Sequence, residues 1–296
     1  MAARALAGTA LPRFRWRRPE PVALGRTTTV DFATLSNRDC VPSRMPSCRS
    51  LLLEELAWPE VESALEDGMR TAIVAVGSIE QHGPHLPLNM DTLDGDELAR
   101  RIASELGDAL AAPTIRPGCS GHHMEFPGTL TVPPETLMDT IRAYCRSLDE
   151  HGFEHVVLVP THGGNFGPVK TVTPDIGREI DATVIALADL DEHMRLLNEG
   201  LDEAGIEYDQ DVIHAGAAET AIVLAVNEGL VRTNALESGH EGDVSAARLL
   251  SEGFESITEN GVLGDPREAT AEAGERILER VTAAYVDRIE AERNAV

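Results

Sequence analysis

Lysine is almost missing: Lys170 is the only one in 296 residues, and arginine supplies the other basic groups. Together they number 25 against 50 acidic residues, a formal charge of −25. A chain so short of positive charge has no basic face for nucleic acid or an anionic membrane surface, so neither is an expected partner. An acidic excess on an otherwise globular composition suits a protein dissolved in concentrated salt. Dense carboxylates hold water and ions there, and salt screens their repulsion. Cysteine is scarce too. Cys40, Cys48, Cys119 and Cys145 make no CxxC pair, which predicts free thiols in a reducing, cytoplasmic setting rather than a disulfide scaffold. No run of about eighteen apolar residues occurs, so no membrane-spanning helix is expected. No GxGxxG follows an apolar run, and "THGGN" is not a phosphate loop, which argues against a nucleotide-binding fold.

The charge is unevenly spread. Residues 1–44 hold eight arginines and only Glu20, Asp31 and Asp39 as acids, whereas the remainder carries 17 basic and 47 acidic residues. The segment "RFRWRRPEPVALGRTTT" has neither a helical nor a strand period, and no apolar stretch follows it as in a signal peptide. A targeting address is one reading. Residues 1–48 are read here as a disordered extension, or one that arises from a start assigned too far upstream of Met45.

The rest alternates short apolar runs with amphipathic stretches. "TAIVAVGS" (71–78), "ALAAPTIRPG", "HVVLVPTHGGN" (155–165) and "ATVIALADL" (182–190) read as strands, the first and third as buried on both faces. "SLLLEELAWPEVESALEDG", 94–107, 135–152, 216–229 and 266–293 read as helices, and "VKTVTPDIGREI" as helical on either side of Pro174. Strands alternating with helices imply βαβ units: an α/β fold with a mostly parallel sheet, as one domain over residues 49–296. In such sheets ligands bind beyond the carboxyl ends of the strands.

The polar motifs lie at those ends. "VGSIEQHGPHLPLNMDT" (76–92) follows the first strand. In extended chain, Glu80 and His82 point to one side. The constrained loop between them and Asp91 can return that carboxylate to Glu80. A carboxylate–imidazole–carboxylate set suits zinc, manganese or iron as divalent ions, and Asp91 has two oxygens with which to bridge a pair. "THGGN" (161–165) adds His162 as a ligand candidate and Asn165 for orienting a ligand or binding substrate. "HAGAAET" (214–220) adds His214, whose ordinary pKa of about 6.5 suits a proton shuttle, and Glu219 as a ligand, a support for one, or a charge at a helix start. "GHHMEFPGT" (121–129) offers His122 and His123, one of which is expected to face the site. His85 has no assigned role.

In this order, "GSIEQHGPHLPLNMD", "THGGN", "HAGAAET" and "NGVLGDP" resemble the creatininase (creatinine amidohydrolase) family over residues 50–290. The resemblance implies a three-layer α/β/α sandwich and commonly a homohexamer built from dimers. It implies two divalent metal ions per subunit, held by Glu80, His82, Asp91 and His162 with Asp91 bridging. It makes His214 the proton-transfer histidine and matches Glu219 to a second family glutamate, both with catalytic roles, with His123 and Asn165 as substrate-binding candidates. In creatininase proper a liganding glutamate stands two residues after the histidine matched by His162. Here that position is Gly164, so Glu219 is the candidate for the vacant coordination position. The family's tryptophan-lined pocket has no counterpart, since Trp16 and Trp58 both precede the first motif.

The expected activity is hydrolysis of an amide C–N bond in a small molecule. Alternatives are a formamidopyrimidine nucleotide deformylase, a mycofactocin-precursor peptidase and, outside enzymes, a non-catalytic metal-binding oligomer.

Overall fold

The computed structural model describes residues 50–207 and 214–295. The reading of residues 1–48 lies outside them. Residues 47–296 group as one compact unit.

Among the described residues, four parallel strands make one sheet: β1 (Thr71–Val76), β2 (Ala109–Ala111), β3 (His155–Pro160) and β4 (Thr183–Ala186), in the order β2-β1-β3-β4. The register pairs Thr71 with Ala109 and with His155, and His155 with Thr183. All six β1 residues are buried, as its unbroken apolar run requires for a central strand. The chain moves outward from β1 on one side and through β3 to β4 on the other. The carboxyl ends of β1 and β3 therefore flank a crevice where the winding direction switches, the usual ligand position in such sheets.

Among the described residues, eight α-helices accompany the sheet: α1 (Trp58–Glu66), α2 (Met90–Leu106), α3 (Pro134–His151), α4 (Gly163–Ile176), α5 (Leu190–Glu203), α6 (Ala217–Asn227), α7 (Ala246–Glu252) and α8 (Ala271–Asn294). Alternation along the strands sorts the core into two layers. Ile73, Ala75, Val157 and Val159 pack with residues of α2, α5, α6 and α8. Ala72, Val74, Val76, Val156 and Leu158 pack on the opposite side with residues of α1, α3 and α4. The three-layer α/β/α arrangement is thus present. No helix among the described residues is long and apolar enough to cross a membrane.

Several boundaries differ from the sequence reading. Helix α2 begins at Met90, a turn earlier than 94, so Asp91 falls in its first turn, where the positive end of the peptide dipoles favours a carboxylate. Helix α4 runs unbroken through Pro168 and Pro174. Proline removes a backbone bond, yet burial of Phe166, Val169, Val172 and Ile176 holds the helix to the sheet. The run 182–190 yields a strand of four residues, and the segment after it is α5. That helix was legible: the Asp189 side chain accepts from Glu192 N–H, and His193, Leu196, Leu197 and Leu201 recur on one face. Helix α7 was likewise not anticipated.

Candidate metal centre

The site begins where β1 stops. Gly77 has Asp91 O and Thr92 Cα 3.0 Å from where a Cβ would stand, so a glycine lets the strand end pack against the start of α2. Thr92 Oγ1 donates to Ser78 O (2.9 Å), Glu80 N–H to Leu88 O (2.8 Å) and Thr161 Oγ1 to Asp91 O (2.7 Å). These bonds fold the proline-stiffened loop back on itself and bring Asp91 to Glu80.

Glu80, His82, Asp91 and His162 are all buried, and Glu219 nearly so, with no lysine or arginine among the described residues that line the centre. His82 Nε2 lies 3.3 Å from Asp91 Oδ1, 3.6 Å from Glu219 Oε2 and 3.9 Å from Glu80 Oε1. His162 Nδ1 lies 3.2 Å from Glu80 Oε1 and 3.6 Å from Asp91 Oδ2. Two sets therefore have the spacing to hold a cation: Glu80, Asp91 and His162, and His82, Asp91 and Glu219. Asp91 belongs to both, with one oxygen toward each. Glu80, His82 and His214 form a further such group, as do His122, His123 and His162.

Backbone carbonyls fix one hydrogen of each imidazole. His82 Nδ1 faces Glu80 O at 3.3 Å, and His162 Nε2 faces Cys119 O at 3.2 Å. A carbonyl only accepts, so those nitrogens carry hydrogens. The other nitrogen of each ring faces the carboxylates, and losing its proton there would give the lone pair that a metal ligand needs.

The residues fit a cation. Glu80 Oε2, His82 Nε2 and Asp91 Oδ2 are buried without a hydrogen-bond partner, an arrangement that is costly unless something else satisfies it. Burial lowers the pKa of His82, but Asp91, Glu219 and Glu80 outweigh it and raise it to about 10. His162 is pulled down by burial and lifted by Glu80 and Asp91 to about 9. Burial, with Asp91 and Glu80, carries Glu219 up to about 7 against the pull of His82. The centre thus draws positive charge inward.

Glu219 stands in the first turn of α6, where Ala215 N–H donates to its Oε2 at 2.5 Å. Ala215 supplies that bond from a left-handed backbone (φ 54°), a conformation that side chains other than glycine resist. His214 puts Nδ1 3.9 Å from Glu80 Oε1. Burial, then the neighbouring His82 and His162, holds its pKa well below the ordinary value, so it is neutral near pH 7.

His123 is buried against the centre, with Nε2 3.2 Å from Glu80 Oε2. Burial and the surrounding histidines push its pKa far down. Asn165 does not line the cleft. Its Oδ1 accepts from Cys119 N–H (2.9 Å), and its Nδ2 donates to Val76 O (3.1 Å) and Gly77 O (2.9 Å), tying the end of β1 to the 119 loop. His122 sits over Gly164, where a Cβ would stand 3.2 Å from its Cε1 and 2.3 Å from Cys119 O. His85 stands apart from the carboxylates and meets Thr220 Oγ1 at 2.9 Å, joining the motif loop to α6.

A cleft of about 160 Å³ opens onto the centre. Its floor is polar, and its wall is apolar, with Phe166, Met194, Leu197, Leu249, Leu250 and Phe254. A larger hollow of about 230 Å³ beside Leu93, Asp96 and Ala111 contains no imidazole. Sequence reasoning missed Gln81, His193 and Phe254. Gln81 lay inside the quoted motif. His193 rides on the unanticipated α5, lines the cleft and meets Tyr285 OH with Nδ1 at 2.9 Å. Phe254 stacks on His123 at 4.1 Å, as an aromatic wall where tryptophan is lacking, and no sequence signal marked it.

Comparison with known proteins shows the family. The profile of the creatininase family, described as creatinine amidohydrolase, matches residues 54–289. The mycofactocin precursor peptide peptidase of Mycolicibacterium smegmatis is 34% identical over 227 residues, covering 73% of this chain and 83% of that protein. The creatinine amidohydrolase of Pseudomonas putida is 27% identical over 257 residues, covering 82% and 98%. Among solved structures, a Zn-Zn type mutant creatininase superposes with a TM-score of 0.73 at 26% identity, covering 82% of this chain and 98% of that one. A manganese creatininase gives 0.69 at 26% identity, covering 82% and 99%. The chain is a member of the creatininase family, whose enzymes hydrolyse amide C–N bonds.

Proposed function

We propose that this protein hydrolyses an amide C–N bond with two divalent cations, zinc or alternatively manganese or iron, at the carboxyl ends of β1 and β3. The observation that carries the reading is Asp91, whose two oxygens face two separate ligand sets, one with Glu80 and His162 and one with His82 and Glu219. Gly164 leaves the first set without a carboxylate at that position, and Glu219 supplies one to the second. When bound, such cations polarise a carbonyl and lower the pKa of water.

The chain's own groups do the rest. His214 is neutral, with Nδ1 toward Glu80, and takes a proton from the attacking water. It returns that proton to the departing nitrogen as the C–N bond breaks, so water is consumed and an acid and an amine leave. Glu219, clamped by Ala215 N–H, keeps its carboxylate aimed at His82. His123 is assigned to the substrate side of the cleft through its contact with Glu80, and Asn165 to holding the loops that carry the ligands.

A peptide is the second reading for the substrate. Among the described residues the apolar wall has no lysine or arginine, which suits an uncharged amide or an apolar peptide side chain better than a nucleotide phosphate. The relative named as a mycofactocin precursor peptide peptidase points the same way. We take the protein to be a cytoplasmic, salt-adapted homohexamer, with residues 1–48 outside the catalytic domain that spans 49–296.

The test is metal analysis of the purified protein, followed by a panel of cyclic amides, formamides and peptides in high salt. Bound metal with turnover of one class is the expected result. Metal retained without turnover on any member would support a non-catalytic metal-binding protein instead.

A further inference from the structure

Gln81 lies between two candidate metal ligands yet points away from both. Its amide orientation follows from two backbone groups. Gly83 N–H lies 2.9 Å from Oε1 and needs an acceptor, and Gly261 O lies 3.2 Å from Nε2 and needs a donor. Swapping oxygen and nitrogen would break both bonds. A side chain at Gly261 would also collide with this amide, since a Cβ there would stand 2.0 Å from Oε1.

Nε2 has two hydrogens and three neighbours: Gly261 O, His123 Nδ1 at 3.1 Å and His214 Nε2 at 2.8 Å. His214 Nε2 is also 2.9 Å from the main-chain oxygen of Gln81. A carbonyl cannot donate, so His214 Nε2 holds a hydrogen and gives it to Gln81 O. It therefore accepts nothing from the amide. The two amide hydrogens go to Gly261 O and His123 Nδ1, and the 2.8 Å approach of His214 Nε2 to the amide nitrogen is then a contact between two donors and not a hydrogen bond. His123 Nδ1 is then an acceptor, so its hydrogen is on Nε2, facing Glu80 Oε2 at 3.2 Å.

We propose that Gln81 is a positioning residue that places the hydrogens of His123 and His214. Its main chain fixes His214 with a bare Nδ1 toward the metal centre, and its side chain fixes His123 with a bare Nδ1 and its hydrogen on Nε2, the nitrogen nearer Glu80. This rests on the role given to His214 above, but the arrangement is readable without any reaction.

The experiment is nitrogen NMR of the full-length protein labelled at histidine, without added metal, with Gln81→Glu and Gln81→Met compared. In the wild type, Nδ1 of both His123 and His214 should have the signature of a bare nitrogen. Glutamate places an acceptor against His123 Nδ1, so that resonance should move to the protonated range. Methionine places none, and the resonance should stay. His214 should be unchanged in both variants, because its partner is main chain. A merely structural role would disturb both variants alike. Zinc affinity, read by competition with a chelating dye, should fall by about 10–100-fold in the glutamate variant, as for other groups that orient a ligand. A protonated Nδ1 on either histidine in the wild type, or an unmoved His123 in the glutamate variant, would overturn the proposal. Absence of amide hydrolysis would affect only the functional reading.

Discussion

His82 and His162 stand on opposite sides of one carboxylate: His82 Nε2 is 3.3 Å from Asp91 Oδ1, and His162 Nδ1 is 3.6 Å from Asp91 Oδ2. Each ring is oriented by a backbone carbonyl behind it. The pair places one aspartate in the first turn of α2 between two groups of side chains that could each hold a cation.

Removing shared and unshared ligands should therefore have different consequences. Asp91→Ala is expected to lose both cations and all hydrolysis. Glu219→Gln should weaken only the set that contains His82, leaving about half of the metal, as each cation draws on its own ligands. Elemental analysis of dialysed protein checks the stoichiometry. Equal loss in the two variants would contradict the division at Asp91.

His214→Ala should leave the metal content near that of the wild type and lower kcat by about 10²–10⁴-fold, the usual contribution of a placed proton carrier. KM should change little. Steady-state kinetics beside elemental analysis separates this outcome from loss of a ligand.

Protons and cations compete for the centre. His82 and His162, with pKa values raised to about 10 and about 9, are protonated near pH 7 when no metal is bound. Metal binding must release those protons, so affinity should rise from pH 7 to pH 9, and calorimetry in buffers of different ionisation heat should detect the release. The linked stability has the opposite sign. Both pKa values are raised on folding, so their stabilisation is complete below about pH 6.5 and is lost as pH rises through 9 and 10. The melting temperature of metal-free protein should fall over that window, and that of loaded protein should fall less.

Asn165→Ala removes three bonds to backbone groups at the end of β1 and at residue 119. Leaving buried backbone groups unpaired should destabilise the fold by about 1–3 kcal/mol. Urea unfolding measures this. Because the side chain does not line the cleft, KM should be near that of the wild type if the variant retains its metal.

Phe254→Ala should enlarge the cleft and cost about 3 kcal/mol of stability, since the ring is buried and stacked on His123. KM should rise more for apolar amides than for small polar ones, which a substrate panel with the folded variant would reveal.

Much of the layout was legible because it depends on local pattern. The runs at 71–76 and 155–160 fit strands buried on both faces, and polar motifs directly after them then fall at the carboxyl edge of the sheet. Glu80, His82 and Asp91 sit within twelve residues, so a short constrained loop is enough to gather them. The start of α2 and the unbroken α4 were less legible, because each depends on tertiary burial that outweighs a proline or a short apolar stretch. Helix α5 had a local cap and apolar periodicity that the sequence reading passed over.

The sequence by itself determined the sheet, the edge at which the chemistry lies and the kind of atoms that gather there. Periodicity and the spacing of His, Asp and Glu are properties of neighbours along the chain. Only the tertiary structure decided that Asp91 divides its oxygens, that Ala215 clamps Glu219, and that Gln81 reaches His214, 133 residues away, and Gly261, 180 residues away. Those relationships require distant segments to meet within hydrogen-bond distance. Which nitrogen of a histidine carries its hydrogen then depends on the one carbonyl or amide placed behind it, and no local pattern encodes that placement.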